Sequence, residues 1–295
     1  MRRWEKYPAR VPWCTLKASS EKVSHRILVR EKYVLNKAER NLGKFIRILI
    51  MSKRVIPSGR RMVQASEDSF AKNRAFLVER LIRVGALRKQ SYIDAMQSVK
   101  RHLFVWEEFE RYAYLDRALP LGKTGQTIPP PHLCAYMLEA LGPRVGEKVL
   151  EVGSGSGYNA ALVAECIAPS NINPEAWGRM TTIERMKALW KFARKNLVRS
   201  GYSNRVACVL GDGTLGFPPL HEGELYDKIL VTAGAPAPPA PLMMQLKRGG
   251  IMVIPIGGKH SQQLTMVIKG ESDRVEKLPL QRCEFVPLIG KYGWS

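Results

Sequence analysis

The chemistry most legible in the chain lies at Val149-Leu150-Glu151-Val152-Gly153-Ser154-Gly155-Ser156-Gly157-Tyr158, an apolar run that ends in a glycine-rich turn. Gly153, Gly155 and Gly157 let the backbone approach a ligand closely and turn through positive φ, with Ser154 between them. A pyrophosphate would be repelled by Glu151 just ahead of the turn, whereas a cationic sulfonium or ammonium group would be favoured. Two further acids close later apolar runs. Glu184, followed by Arg185, can accept hydrogen bonds from two ribose hydroxyls, and Asp212, in Gly211-Asp212-Gly213, can meet an adenine amino group. Glu151, Glu184 and Asp212 together predict S-adenosylmethionine rather than NAD.

Those side chains need a scaffold that brings strand ends to one edge, and the pattern past Pro131 supplies it. Helix 132–141 precedes strand 149–152; a helix near Tyr158, strand 180–184, helix 186–200, strands 206–210 and 227–232, helix 239–247 and strand 251–256 follow. Short apolar strands alternating with helices predict a parallel sheet covered on both faces. Residues 263–288 hold strand-like pieces with no helix between them and should form antiparallel edge strands. The predicted class is α/β, a doubly wound, mostly parallel, Rossmann-like sheet with helices on both faces. Upstream, Phe76, Leu77, Leu81, Ile82 and Val84 recur at helical spacing from Asn73 and stop at Gly85. A second helix, capped by Ser91, carries Ile93, Met96 and Val99. Leu119-Pro120-Leu121-Gly122 then opens an irregular stretch leading to Gln126-Thr127-Ile128 and Pro129 to Pro131.

Of the net charge of +21, residues 1–61 carry +13 (17 Lys and Arg against 4 acids) and residues 62–295 carry +8 (30 against 22). Pro57-Ser58-Gly59-Arg60-Arg61 reads as a linker. The predicted domains are therefore a basic extension, 1–61, and a main domain, 62–295, comprising N-terminal helices and a loop (72–131) and a cofactor-binding core (132–295). Residues 24–50 have a loose helical spacing. Such an arm could meet RNA by releasing counterions from phosphates, with Trp4, Tyr7 and Trp13 to stack on bases. The alternatives are a solvated tail, or an untranslated lead, since Met51 and Met62 could each begin a shorter chain.

The five cysteines (Cys14, Cys134, Cys166, Cys208 and Cys283) form no C-x-x-C pair, which predicts a reducing cytoplasm with neither disulfide framework nor metal site. No run reaches the ~18 apolar residues of a membrane span, and the N-terminus lacks the apolar core of a secretory signal. A cytoplasmic protein with no membrane partner is expected.

With these residues in view, the chain resembles the protein-L-isoaspartate O-methyltransferases, the archaeal members especially. Gly153 to Gly157, Glu184, Gly211-Asp212-Gly213 and Val231-Thr232-Ala233-Gly234-Ala235-Pro236 are similar to that family's cofactor segments. Gln126-Thr127-Ile128 with Pro131-His132 resembles its substrate loop. Gln245-Leu246-Lys247, Gly249-Gly250 and Ile254-Pro255-Ile256-Gly257 resemble its fifth strand and the preceding helix, and Phe285 to Trp294 its closing segment. The likeness spans about residues 74 to 295.

The resemblance implies a class I methyltransferase that moves a methyl group from S-adenosyl-L-methionine to the α-carboxylate of L-isoaspartyl residues in damaged proteins and peptides; a monomer is expected. The cofactor residues it implies are Glu151, Gly153, Ser154, Gly155, Gly157, Glu184, Arg185, Gly211, Asp212, Gly213 and Thr232. For substrate it implies Gln126, Ile128, His132, Val286, Pro287 and Leu288, with Thr127 and Pro129 at the reacting carboxylate.

Pro129 departs from the family, which normally has there a serine whose hydroxyl contacts that carboxylate. Proline offers neither hydroxyl nor N–H. Either the catalyst is impaired or repurposed with its cofactor site intact, or Thr127 or a backbone N–H serves instead. His132 either bonds substrate or caps the helix after the prolines, and Tyr158 and Trp190 read as core residues. Two other functions compete. One is an RNA methyltransferase using the basic arm, although Thr232-Ala233-Gly234 stands where amino-directed nucleic-acid enzymes carry Asp/Asn-Pro-Pro-aromatic. The other is a non-catalytic adaptor that binds the cofactor and recognises modified carboxylates.

Overall fold

The apolar run beginning at Val149 becomes the pivot of a seven-stranded sheet in the computed structural model, which describes residues 66–223, 225–272 and 274–295. The expectations for residues 1–61, including helices within 24–50, the linker at 57–61 and the aromatics Trp4, Tyr7 and Trp13, lie outside the described residues. In chain order the elements are α1 (Glu67–Arg83), α2 (Gln90–Ser98), β1 (Leu119–Pro120), β2 (Thr127–Ile128), α3 (Pro131–Leu141), β3 (Lys148–Val152) and α4 (Tyr158–Ile167). There follow β4 (Arg179–Glu184), α5 (Lys187–Arg199), β5 (Val206–Leu210), β6 (Tyr226–Val231), α6 (Ala240–Gln245), β7 (Leu246–Gly257), β8 (Gln262–Lys269) and β9 (Val275–Cys283).

The sheet order is β5-β4-β3-β6-β7-β8-β9. The first five strands run parallel, and β8 and β9 are antiparallel edge strands, as the sequence predicts. β3 has β4 on one side and β6 on the other, so the order of succession reverses there and the strand ends open a crevice. Because successive strand residues point to opposite faces, neighbours divide between two cores: Val149, Leu230 and Val253 in one, Leu150, Ile229 and Met252 in the other. Residues of α1 to α5 join the first core. Leu242 of α6 and Leu288 of the C-terminal segment join the second.

The first helix begins earlier than its periodicity suggests. Ser66 accepts from the Ser69 N–H at 3.2 Å, and Glu67 and Asp68 occupy the first turn, where the helix dipole favours negative charge. The buried stripe is Phe70, Leu77, Val78 and Leu81; Phe76, Ile82 and Val84, expected in it, are exposed. Gly85 ends the helix at φ +76° as anticipated. Ser91 does not cap α2, which starts at Gln90; the Glu139 carboxylate, brought from α3, accepts from the Arg88 and Lys89 N–H groups instead.

The helix expected to reach residue 247 stops at Gln245. Leu246 already pairs with Tyr226, Lys247 bonds Asp227 at 2.7 Å, and the register shift that follows takes Gly249 through φ +72°.

Candidate functional site

Five segments wall one cavity at the C-terminal ends of β3, β4 and β6: Gln126 to Pro130, Gly153 to Ser156, Ile183 to Met186, Thr232 with Ala233, and Glu284 to Ile289. The glycine turn is tied down from both sides of β3. Gly153 and Ser154 donate to the Ile183 carbonyl of β4 at 2.8 and 3.2 Å. Thr232, beyond β6, donates through Oγ1 to the Gly153 carbonyl at 2.7 Å and the Val152 carbonyl at 3.0 Å. A Cβ on Gly153 would collide with that Oγ1, so this glycine serves the close approach of Thr232. Gly155, at φ +52°, faces the cavity. Gly157 does not; it starts α4 at φ +85° and packs on Ala193 and Leu197 of α5.

The three predicted carboxylates have separate fates. Glu184 reaches the wall: its Oε2 accepts from Gly155 N–H at 3.0 Å and its Oε1 from Met186 N–H at 2.9 Å, which leaves lone pairs on both oxygens. Asp212 does not line the cavity. Its Oδ1 accepts from the Thr214 N–H and hydroxyl at 2.9 and 2.7 Å, and its Oδ2 from the Lys291 N–H at 2.8 Å, so it ties the closing segment to β5.

Glu151 is fully buried behind the turn. Its Oε2 accepts from Thr182 Oγ1 at 2.6 Å, the Thr182 oxygen lies 2.7 Å from Ser154 Oγ, and its Oε1 has no partner among the described residues. Burial pushes its carboxyl up to about 8, with the Glu184 charge adding to the rise and the Thr182 bond opposing it. The anion expected to face a sulfonium at Glu151 does not stand at the cavity wall: this is a buried carboxyl, its proton held by burial, that reaches the cavity only through Thr182 and Ser154.

On the other side, Gln126, Thr127, Ile128 and Pro129 all line the cavity, with Thr127 exposed at its rim. β1 and β2 pair antiparallel, Leu119 opposite Ile128, and this hairpin holds the loop. Val286, Pro287 and Leu288 form the facing wall. Val286 accepts from Gly234 N–H and Leu288 donates to Gly234 carbonyl, both at 2.8 Å, while buried Gln262 accepts from Phe285 N–H at 2.7 Å.

His132, predicted to bond substrate or cap its helix, is not a cap and does not line the cavity. Its N–H and Nδ1 both meet Asp116 Oδ1, at 3.0 and 2.8 Å, so Asp116 is the cap. Burial pushes Asp116 up, but the His132 bonds and the Arg80 charge outweigh it and hold the carboxyl below its ordinary range.

Of the other predicted residues, Ser154, Arg185, Gly213 and Thr232 line the cavity and Gly211 does not. Residues not foreseen at the wall include Asn159, Met186, Leu189 and Phe285. Tyr158 is core, as expected, yet it also lines the cavity. Trp190 is half-buried and donates to the Cys208 carbonyl at 3.1 Å. Among the described residues no cluster of His, Cys, Asp or Glu could hold a metal ion, and no helix is long and apolar enough to cross a membrane.

Residues 72–293 match the family model for protein-L-isoaspartate(D-aspartate) O-methyltransferase. A Hyperthermus butylicus protein named protein-L-isoaspartate O-methyltransferase is 50% identical over 228 residues, covering 77% of this chain and 93% of the relative. A Methanopyrus kandleri protein of the same name is 48% identical over 232 residues, covering 78% and 98%. Among solved structures, a Plasmodium falciparum β-aspartate methyltransferase in complex with S-adenosyl-L-homocysteine superposes with a TM-score of 0.62 at 25% identity, covering 74% of this chain and 98% of that one.

Proposed function

The chain belongs to the protein-L-isoaspartate(D-aspartate) O-methyltransferase family, and from that premise we propose that its cavity is the site where the α-carboxylate of an L-isoaspartyl residue is methylated at the expense of S-adenosyl-L-methionine. One observation carries the reading. A single cavity has the glycine turn and Glu184 on one side and the Gln126–Pro130 loop and Val286–Leu288 on the other.

The walls fit an adenosyl ligand. Gly155 leaves room for backbone approach, and Glu184 keeps lone pairs for two ribose hydroxyls. S-adenosyl-L-methionine, when bound, supplies an electrophilic methyl group on a sulfonium. The chain's own residues do the rest by placement. Thr232 and the Ile183 carbonyl fix the turn, and Gln126, Thr127 and Ile128 meet the peptide against Val286–Leu288. No general base is required, because a carboxylate with an ordinary pKa near 4 is already ionised and nucleophilic at neutral pH. Holding oxygen, carbon and sulfur in line can contribute several kcal/mol by orientation alone.

The domain division is proposed as read: a basic extension, 1–61, ahead of the methyltransferase domain, 62–295. The protein is proposed to act as a cytoplasmic monomer, with any contact to nucleic acid confined to the extension. Labelled methyl transfer to an isoaspartyl peptide but not to its aspartyl twin is the test; equal labelling of both, or of neither, defeats the reading, and turnover removes the adaptor alternative. A chain beginning at Met62 should methylate the peptide as well as the full chain does. Loss of all activity on that deletion would favour the RNA reading.

A further inference from the structure

Arg101 follows α2 and is fully buried, a costly place for a guanidinium cation. Its Nε donates to the Ala113 carbonyl at 2.9 Å and its Nη2 to the Pro129 carbonyl at 2.7 Å. Its guanidinium carbon lies 4.7 Å from the centroid of the Tyr158 ring. Among the described residues Nη1 has no hydrogen-bond partner, and none of their ion pairs includes Arg101. Nor can its neighbours supply a counter-charge: burial pushes the Cys134 thiol up to about 11 and drives the Tyr158 hydroxyl well above its ordinary range. A buried cation without an anion is strongly unfavourable unless one arrives.

Two of the residues Arg101 touches, Pro129 and Tyr158, are walls of the cavity. By binding the Pro129 carbonyl, Arg101 draws the negative end of that peptide group away from the space an anionic substrate must enter, at the position where proline provides no donor of its own.

We infer that Arg101 is a positioning residue for substrate: an uncompensated buried cation that sets the positive potential behind Pro129 and Tyr158, so that the site selects a carboxylate over a neutral carboxamide. This rests on the reading of the cavity as an isoaspartyl site.

The test is calorimetric binding of an isoaspartyl peptide and its α-carboxamide twin to the full chain saturated with S-adenosyl-L-homocysteine, where no turnover occurs. The wild type should prefer the carboxylate at least tenfold. Arg101→Gln should bring the ratio close to one while leaving affinity for S-adenosyl-L-homocysteine within about twofold. Arg101→Lys, which keeps the charge but not the two-pronged grip on Ala113 and Pro129, should retain more than a threefold preference. A purely structural role predicts instead that Lys and Gln weaken both peptides equally and leave the ratio alone. The inference is overturned by an unchanged ratio in a folded Gln variant, by a ratio of one in the Lys variant, or by a wild type that does not discriminate; should the Gln variant not fold, the Lys and wild-type ratios decide. Methyl transfer by the wild type, measured alongside, separates two failures. No transfer defeats the site reading itself, whereas transfer with an unmoved ratio defeats only the role of Arg101.

Discussion

Replacing Glu151 by glutamine should abolish a pH dependence built into the core of β3. In the unfolded chain this carboxyl ionises near 4.5, and in the fold burial holds its proton until about 8. Between those values the folded state binds the extra proton, so unfolding releases it and raising the pH favours unfolding. The contribution is fully present below 4.5, declines by about 1.4 kcal/mol per pH unit, and levels off above about 8 at a total near 5 kcal/mol. Glutamine has no proton to lose, and its amide oxygen can still accept from Thr182, the partner that Glu151 holds at 2.6 Å.

For a domain of this size about 1 kcal/mol moves the melting temperature by roughly 2–4 °C, and about 4 kcal/mol of the total falls between pH 5 and pH 9, so the wild type should lose roughly 8–16 °C more than the variant across that range. Thermal unfolding of both ligand-free proteins, followed by circular dichroism across that range, reads the difference directly, because every other titrating group is common to both. Parallel curves would refute the reasoning, since they would mean that Glu151 ionises in the fold as readily as in the unfolded chain. A variant less stable than the wild type at pH 9 would refute it also.

Thr232→Val keeps the shape of the side chain but removes the donor to the Gly153 and Val152 carbonyls, and should weaken S-adenosyl-L-homocysteine binding about tenfold by calorimetry, the loss of roughly 1–1.5 kcal/mol. Gly153→Ala, whose new methyl would drive into Thr232 Oγ1, should cost more, whereas Gly201→Ala, at φ +80° with open space around it, should cost only about 1–2 kcal/mol of unfolding free energy and leave turnover unchanged. Gln262→Leu removes the buried anchor of Phe285 and should raise the peptide KM severalfold while shifting cofactor affinity less than twofold in steady-state assays, because the segment it holds forms the wall facing the Gln126–Pro130 loop.

The parts of the site that were legible share a physical cause. Short apolar runs alternating with helical stretches read as strands of a covered parallel sheet, and glycines or acids that end such runs arrive together once the strands lie parallel; hence the turn at Gly153, the carboxylate of Glu184 and the threonine at 232 all reach one crevice. Part of what was misread was nevertheless present in the chain. Alternation places Glu151 on the same face of β3 as Val149, hence inside a sheet covered on both faces, and the Asp-Gly-Thr of Asp212 to Thr214 is a local pattern in which an acid bonds its own backbone two residues on. Ser66 ahead of Glu67 and Asp68 was likewise a readable helix start.

The remainder needed partners that only tertiary structure assigns. Asp116 claims His132, Lys291 claims Asp212, and Arg101 grips Pro129 from 28 positions away. Asp212 and His132, which seemed available to a ligand, each had a competitor elsewhere in the protein, and a competing backbone N–H is as good an acceptor's partner as a ribose hydroxyl. Residue type at a strand end therefore locates a site, while the polar atom that faces the ligand is whichever one the fold has left unclaimed. That criterion favours Glu184, which has one N–H on each oxygen and stands at the wall, over Asp212, and it singles out Arg101, whose unclaimed charge has no anion within the described residues to answer it.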